Sequence, residues 1–149
     1  WITGIGQKTT SAGFTKNTSL SSMESTRLAG KSALQMSNHN ISEINVAEVH
    51  DAFSVCEPMA LESLGFTNPG KGMKMIDDLY ETNNFKINPR GGLIGTGHPL
   101  GATGISQTIE IVQQLQNSAE KRQTDNADIG LVHNMSAAAT SSTVLVLEK

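Results

Sequence analysis

The hydrophobic positions of this chain fall into alternating blocks of strand and helix period. Trp1 to Lys8 reads as a short strand interrupted by Gly4 and Gly6, and a Ser/Thr-rich loop follows to about Ser21. From Met23 to about Met36 the spacing predicts a helix with Leu28, Ala29, Ala33 and Met36 on its inner face and Gly30 as its weak point. Ile44 to Val49 is a short apolar strand. Asp51 stands where an N-cap belongs, ahead of a helical pattern of Phe53, Cys56, Met59, Ala60 and Leu64 that Gly65-Phe66 ends. Pro58 inside that pattern predicts a kink or a short first turn. Residues 67–86 read as loop, with turns at Asn68-Pro69-Gly70 and Gly72. Ile105, Thr108, Ile109, Val112 and Leu115 then recur at three- and four-residue steps, predicting a helix with one buried apolar stripe. Gln116 to Asp128 is polar and ends it. Ile129 to Val132 and Thr143 to Leu147 read as closing strands, joined by the small residues of Ser136 to Ser142. The order β-α-β-α-β-α-β-β predicts an α/β layered domain with a mixed five-stranded sheet buried between helices.

Composition narrows the function classes. The 149 residues match one domain spanning the chain. Eleven Lys and Arg against fourteen Asp and Glu give a net charge of −3, which argues against nucleic-acid or anionic-membrane partners. No apolar run approaches the roughly 18 residues of a membrane helix. One cysteine excludes an internal disulfide framework and points to a reducing compartment, the cytoplasm. The first residue is Trp1, so a preceding segment is expected.

Six of the fourteen glycines lie between Gly91 and Gly104, around His98 and Pro99. Such a stretch, opening a helix, can bring backbone N–H groups close to a ligand while the histidine serves as a general base. It reads equally well as a structural turn with His98 merely hydrogen-bonded. It is not a dinucleotide fingerprint, because Gly95-Thr96-Gly97 meets Leu100 where a glycine is required. His50-Asp51-Ala52-Phe53 sits at a strand-to-helix junction, where open α/β sheets bind ligands, although Asp51 as a plain helix cap accounts for it too. Gly130 to Ala139 carries His133, Asn134 and Met135 into a turn of small residues whose amides can face a site. Cys56 reads first as core packing. The histidines at 39, 50, 98 and 133 show no metal-ligand spacing.

Together, Gly91-Gly92-Leu93-Ile94, Gly97-His98-Pro99-Leu100-Gly101-Ala102-Thr103-Gly104, His50-Asp51-Ala52-Phe53 and Gly130 to Asn134 resemble the C-terminal half of a thiolase, of the archaeal and sterol-carrier-protein type. The resemblance covers nearly the whole chain. It implies a thiolase-type layered domain at 1–149, with the nucleophile-bearing N-terminal domain and its loop domain absent from this chain. It implies acyl transfer between coenzyme A thioesters, which are substrates, with no cofactor and no metal. By this likeness His98 deprotonates the nucleophilic cysteine of the missing half. His50 helps hold the thioester oxygen of the enolising acetyl-CoA, and the Ala137 backbone amide contributes to a second oxyanion hole. Gly97 is a further backbone contributor. Phe53, Pro99, Leu100, Asn134 and Met135 line the substrate. The implied partners are the N-terminal half, an acyl-CoA and further copies in a homodimer or tetramer, with hydroxymethylglutaryl-CoA synthase and a small OB-fold protein as precedented companions. A ketoacyl synthase would want Asn where His50 stands.

Three positions depart from the family pattern. No residue here can be the nucleophile. Met135-Ser136-Ala137-Ala138-Ala139 replaces Cys-x-Gly-Gly-Gly, and Ala52 stands where the sterol-carrier branch has a cysteine. Cys56, one helical turn beyond Ala52, is the only thiol available for the second proton transfer, with His50 or a water held by His133 as alternatives.

Overall fold

The computed structural model describes residues 1–11, 20–82 and 86–149. Its strands are β1 (Ile2–Thr9), β2 (Val46–Glu48), β3 (Ile129–Met135) and β4 (Ser141–Glu148). The helices are α1 (Glu24–Ser37), α2 (Cys56–Leu64), α3 (Gly72–Glu81), α4 (Gly92–Thr96) and α5 (Thr103–Leu115). The strands form one mixed sheet in the order β1-β4-β3-β2, with β4 antiparallel to both neighbours and β2 parallel to β3. Most of the Ser/Thr-rich loop expected after β1 falls outside the described residues.

The sheet has four strands rather than the five expected. What would be the fifth is a single parallel bridge between Ala47 and Ile87. It is made by Ala47 N–H to Lys86 C=O and Asn88 N–H to Ala47 C=O, both 2.8 Å. Asn88 then turns into the left-handed region (φ 47°) and Pro89 offers no N–H, so the ladder stops.

One face of the sheet carries α1 and α2. Gly4 and Gly6 let α1 lie directly on β1, since a Cβ at either would run into the backbone of Ala33 or Ala29. The core between them holds Ala29, Ala33, Ala47, Val49, Ala60, Leu61, Leu131, Val144 and Val146. Met36, placed on the inner face by the sequence pattern, is instead exposed, and Ser25 and Thr26 are buried in the first turn of α1. Pro58 lies in the first turn of α2, which simply begins at Cys56 and has no kink to make. Gly65 (φ 94°) ends α2 with Phe66 N–H on Leu61 C=O at 2.9 Å, the expected glycine stop. Residues 67–86, expected as loop, contain α3, whose Met75, Ile76 and Leu79 pack against this core.

The other face carries α5, and here the expectation holds for Leu115 and Val112 but not for the rest of the stripe. Gln107, Glu110, Ile111, Gln114 and Leu115 face the sheet, whereas Ile105 and Ile109 of the predicted stripe are 66% and 53% exposed. The inward polar groups are all partnered. Gln107 donates to His133 C=O (3.2 Å), Glu110 pairs with Arg122 (3.1 Å), and Gln114 donates to Arg122 C=O (2.7 Å) and accepts Thr124 N–H (2.8 Å). Among the described residues no helix is long and apolar enough to cross a membrane.

Candidate active site

A cleft of about 930 Å³ opens between the start of α1, the segment after β2, the Gly97–Leu100 turn and the turn between β3 and β4. His50, Phe53, Cys56, His98, Leu100, Asn134, Met135 and Ala137 all line it. Eight of the residues singled out in the sequence therefore meet in one place. Gly97 and Pro99 shape the turn that carries His98. Gly97 adopts φ 95° and its N–H is committed to Leu93 C=O at 2.9 Å, so its contribution is conformational. The Pro99 carbonyl accepts Ala102 N–H (2.8 Å) and Thr103 N–H (3.0 Å), starting α5.

His50 follows the carboxyl end of β2, the usual ligand side of a parallel pair. Its segment is pinned from two directions. Asn88 Oδ1 accepts Val49 N–H at 2.8 Å, and Asp51 Oδ1 accepts Leu93 N–H at 2.6 Å. Asp51 was expected to cap α2, but Val55 occupies that place and Asp51 caps α4 instead. Gly92 makes this possible: at φ 62° it abuts the Asp51 carboxylate so closely that a Cβ would collide with it. The two motifs, 42 residues apart at this contact, are thus fastened together and the His50 and His98 rings meet edge to face, centroids 4.8 Å apart.

Hydrogen-bond partners fix how each ring carries its proton. Thr103 Oγ1 donates to Pro99 C=O (3.1 Å), so it accepts from His98 Nδ1–H at 2.7 Å, leaving His98 Nε2 as a free lone pair. Asn134 Nδ2 donates to Gln107 Oε1 (2.9 Å) and to His50 Nδ1 (3.1 Å), leaving His50 with a proton on Nε2. One imidazole is arranged as a base, the other as a donor. Burial first, then the charge of His98, lowers the His50 pKa and disfavours its protonated form. Burial raises the Cys56 pKa. Gln107 escaped notice in the sequence, and Thr103 stands there only within the glycine-rich motif, with no role of its own. Thr103, five residues after His98, is the one whose spacing signalled a contact across a first helical turn.

Behind the site, Glu48 is fully buried beside Arg90 (3.3 Å), and its Oε1 has no partner among the described residues. Arg90 reaches on to the Ser106 hydroxyl. Among the described residues no three His, Cys, Asp or Glu side chains gather as metal ligands.

Several known proteins are similar to this chain. An acetyl-CoA acetyltransferase of Methanothermobacter thermautotrophicus is 37% identical over 129 residues, covering 85% of this chain and 34% of that protein. Sterol carrier protein 2 of Oryctolagus cuniculus is 43% identical over 109 residues, covering 72% of this chain and 20% of that protein. The chain therefore spans about a third or less of the length of these relatives. The solved structure of the Ltp2-ChsH2(DUF35) aldolase superposes with a TM-score of 0.79 at 22% identity, over 97% of this chain and 38% of that one, which shows the shared fold. The family model described as thiolase C-terminal domain-like matches residues 6–149, and the chain belongs to that family.

Proposed function

We propose that this chain supplies the C-terminal half of the active site of a thiolase-class acyltransferase, condensing two acetyl-CoA to acetoacetyl-CoA or cleaving a 3-ketoacyl-CoA with CoA. The observation that carries the reading is the His50–His98 pair: a base and a donor, rings 4.8 Å apart, on one cleft. In this reading a cysteine thiol of the N-terminal half gives its proton to His98 Nε2, and the thiolate adds to the acyl-CoA carbonyl. CoA leaves as a thiolate and takes the proton back from the imidazolium. Acetyl-CoA then gives its α-proton to the Cys56 thiolate while His50 Nε2–H holds the enolate oxygen, and in the cleavage direction the Cys56 thiol returns that proton to the enolate carbon. The enolate carbon attacks the acyl-enzyme, the Ala137 amide holds the resulting oxyanion, and the enzyme thiolate departs. Cys56 is the candidate for the second proton transfer, because Ala52 and Met135 on the same cleft have no proton to move. No resident cofactor is required.

The α5 face supports the N-terminal half as the partner. Ile105 and Ile109 point outward, and beside them Thr143 and Leu145 of β4 are only partly covered, leaving an apolar concavity of about 540 Å³. Further copies, as homodimer or tetramer, complete the proposed assembly.

The test is thiolysis of acetoacetyl-CoA by the full-length protein. His98→Ala is expected to lower kcat by about 10²–10⁴-fold. An inactive wild type sinks the enzyme reading, and an unchanged rate in Cys56→Ser removes Cys56 from the mechanism. The absence of a second ready thiol favours one other reading, a non-catalytic binding or channelling subunit alongside a hydroxymethylglutaryl-CoA synthase and an OB-fold protein.

A further inference from the structure

Ser25 and Thr26 are fully buried, an uncommon place for two adjacent hydroxyls, and neither caps its helix. They belong to a continuous chain of hydrogen bonds whose direction is set by its last member. Ser25 Oγ lies 2.6 Å from the Ala139 carbonyl, which only accepts, so the single Ser25 proton goes there. Ser142 Oγ, at 2.7 Å, then donates to Ser25, and Thr26 Oγ1, at 2.9 Å, donates to Ser142. His133 Nε2–H, at 3.0 Å, donates to Thr26. The bare His133 Nδ1 accepts the backbone N–H of His50 at 3.5 Å. Four side chains from α1, β3 and β4 are thereby strung between His50 and Ala139. Burial pushes the His133 pKa down to about 3, consistent with a ring that stays neutral and keeps this one arrangement.

The far end of the chain is a strained turn. Ala138 (φ 56°, ψ 23°) and Ala139 (φ 51°) both sit in the left-handed region, where the alanine Cβ crowds the backbone. Such a conformation persists where its surroundings over-determine it. Here Ser25 holds the Ala139 carbonyl from below. Ser136 closes the turn from above, its N–H on Ser141 C=O and its Oγ accepting Ser141 N–H, both 2.9 Å. Among the described residues the amides of Ala137 and Ala138 have no acceptor, and both residues line the cleft.

We infer that Ser25, Thr26, Ser142 and His133 are positioning residues that lock the 137–139 turn against the His50 segment, so that the Ala137 and Ala138 amides present a fixed pair of donors to the cleft. What those donors hold rests on the acyl-transfer reading; the lock itself does not. The test uses the full-length protein with Ser25→Ala, the near-isosteric Thr26→Val and the hydroxyl-keeping Thr26→Ser. Peptide-level hydrogen exchange over residues 136–141 is expected to speed up at least tenfold in Ser25→Ala and Thr26→Val, with β1 and α2 unchanged and Thr26→Ser close to wild type. In acetoacetyl-CoA thiolysis the same two variants are expected to lose about 10- to 100-fold in kcat, with KM for CoA within twofold. Unchanged exchange in a folded Thr26→Val overturns the lock. Faster exchange with unchanged kcat overturns its part in presenting the donors. If the wild type itself does not turn over, the acyl-transfer reading fails, and the exchange result alone upholds or overturns the lock.

Discussion

The two faces of the sheet are built on different terms. Under α1 and α2 the packing is closed. Glycines of β1 touch helix backbone, the filler is Ala, Val and Leu, and the buried polar groups are hydroxyls and one neutral imidazole linked in series. Under α5 the apolar core shrinks to Val46, Ile111, Leu115, Ala127, Val132 and Leu147, and charge takes over through Glu48, Arg90, Glu110 and Arg122. The outer side of α5 is left apolar toward solvent. One face is covered by helices of this chain, and the other is where we place the interface with the N-terminal half. The catalytic candidates sit where the faces meet at the ends of β2 and β3: His133 faces α1 and its neighbour Asn134 faces α5 and His50.

The largest expected effects are on stability against pH, where His133 on one face and Glu48 on the other act in opposite senses. The His133 pKa is lowered to about 3 from an ordinary 6.5, so its contribution is complete above pH 6.5 and is lost as the pH falls toward 3, roughly 5 kcal/mol in all. Glu48, on the other face, has its pKa raised to about 7 from 4.5, burial outweighing Arg90. Its contribution is complete below pH 4.5 and is lost as the pH rises to 7, roughly 3 kcal/mol in all. Between 4.5 and 6.5 the rise from His133 opposes the falls from Glu48 and from Glu57 of α2, whose pKa burial first and Asp51 second raise to about 7, so a net decline remains. Urea unfolding from pH 4 to 8 should show His133→Gln steepening the decline above pH 4.5 and Glu48→Gln removing it. Curves that respond alike to both substitutions would erase the distinction between the faces.

A glycine on each face sharpens the contrast. A Cβ at Gly6 meets the Ala29 carbonyl and main chain, which cannot step aside without moving α1. A Cβ at Gly130 meets the Ile111 Cγ2 methyl, side chain rather than main chain, so α5 itself need not move. Gly6→Ala is expected to cost about 3 kcal/mol and Gly130→Ala about 1 kcal/mol by urea denaturation. Equal costs would mean that α5 is held as rigidly as α1.

This asymmetry also decides what the sequence could disclose. On the closed face β1, α1 and the end of α2 are legible as elements, although Ile2, Ile5 and Met36 are exposed and Ser25 and Thr26 are buried. On the other face the pattern located α5 and misjudged its orientation, because the partners of Gln107, Glu110 and Gln114 lie at His133, Asn134, Arg122 and Thr124, distant in sequence or beyond the helix end. Helix α3 was hidden for a similar reason. Only Met75, Ile76 and Leu79 of its turns reach the core, and Gly72 reads as a turn although it serves close packing on Pro58. The site's residues were recognisable as motifs, but the Asp51–Leu93 clamp and the Ser25–Thr26–Ser142 chain were not. Their members look like ordinary cap, helix and strand residues until the fold brings them together.

The smallest expected effect bears most directly on the open face. Ile105 and Ile109 are more than half exposed, so replacing either with Ser removes little buried apolar area within residues 1–149. In a protein of this span alone, each change should alter unfolding free energy by about 0.5 kcal/mol or less. In the full-length protein a segment seated on α5 would bury both side chains, and the same substitutions should then cost about 2 kcal/mol each, the usual scale for losing a buried aliphatic group. A small effect in both would leave α5 facing solvent and remove the proposed seat of the N-terminal half. A large effect in the short span would mean that these isoleucines are covered within it, and that the helix lies the other way round on the sheet.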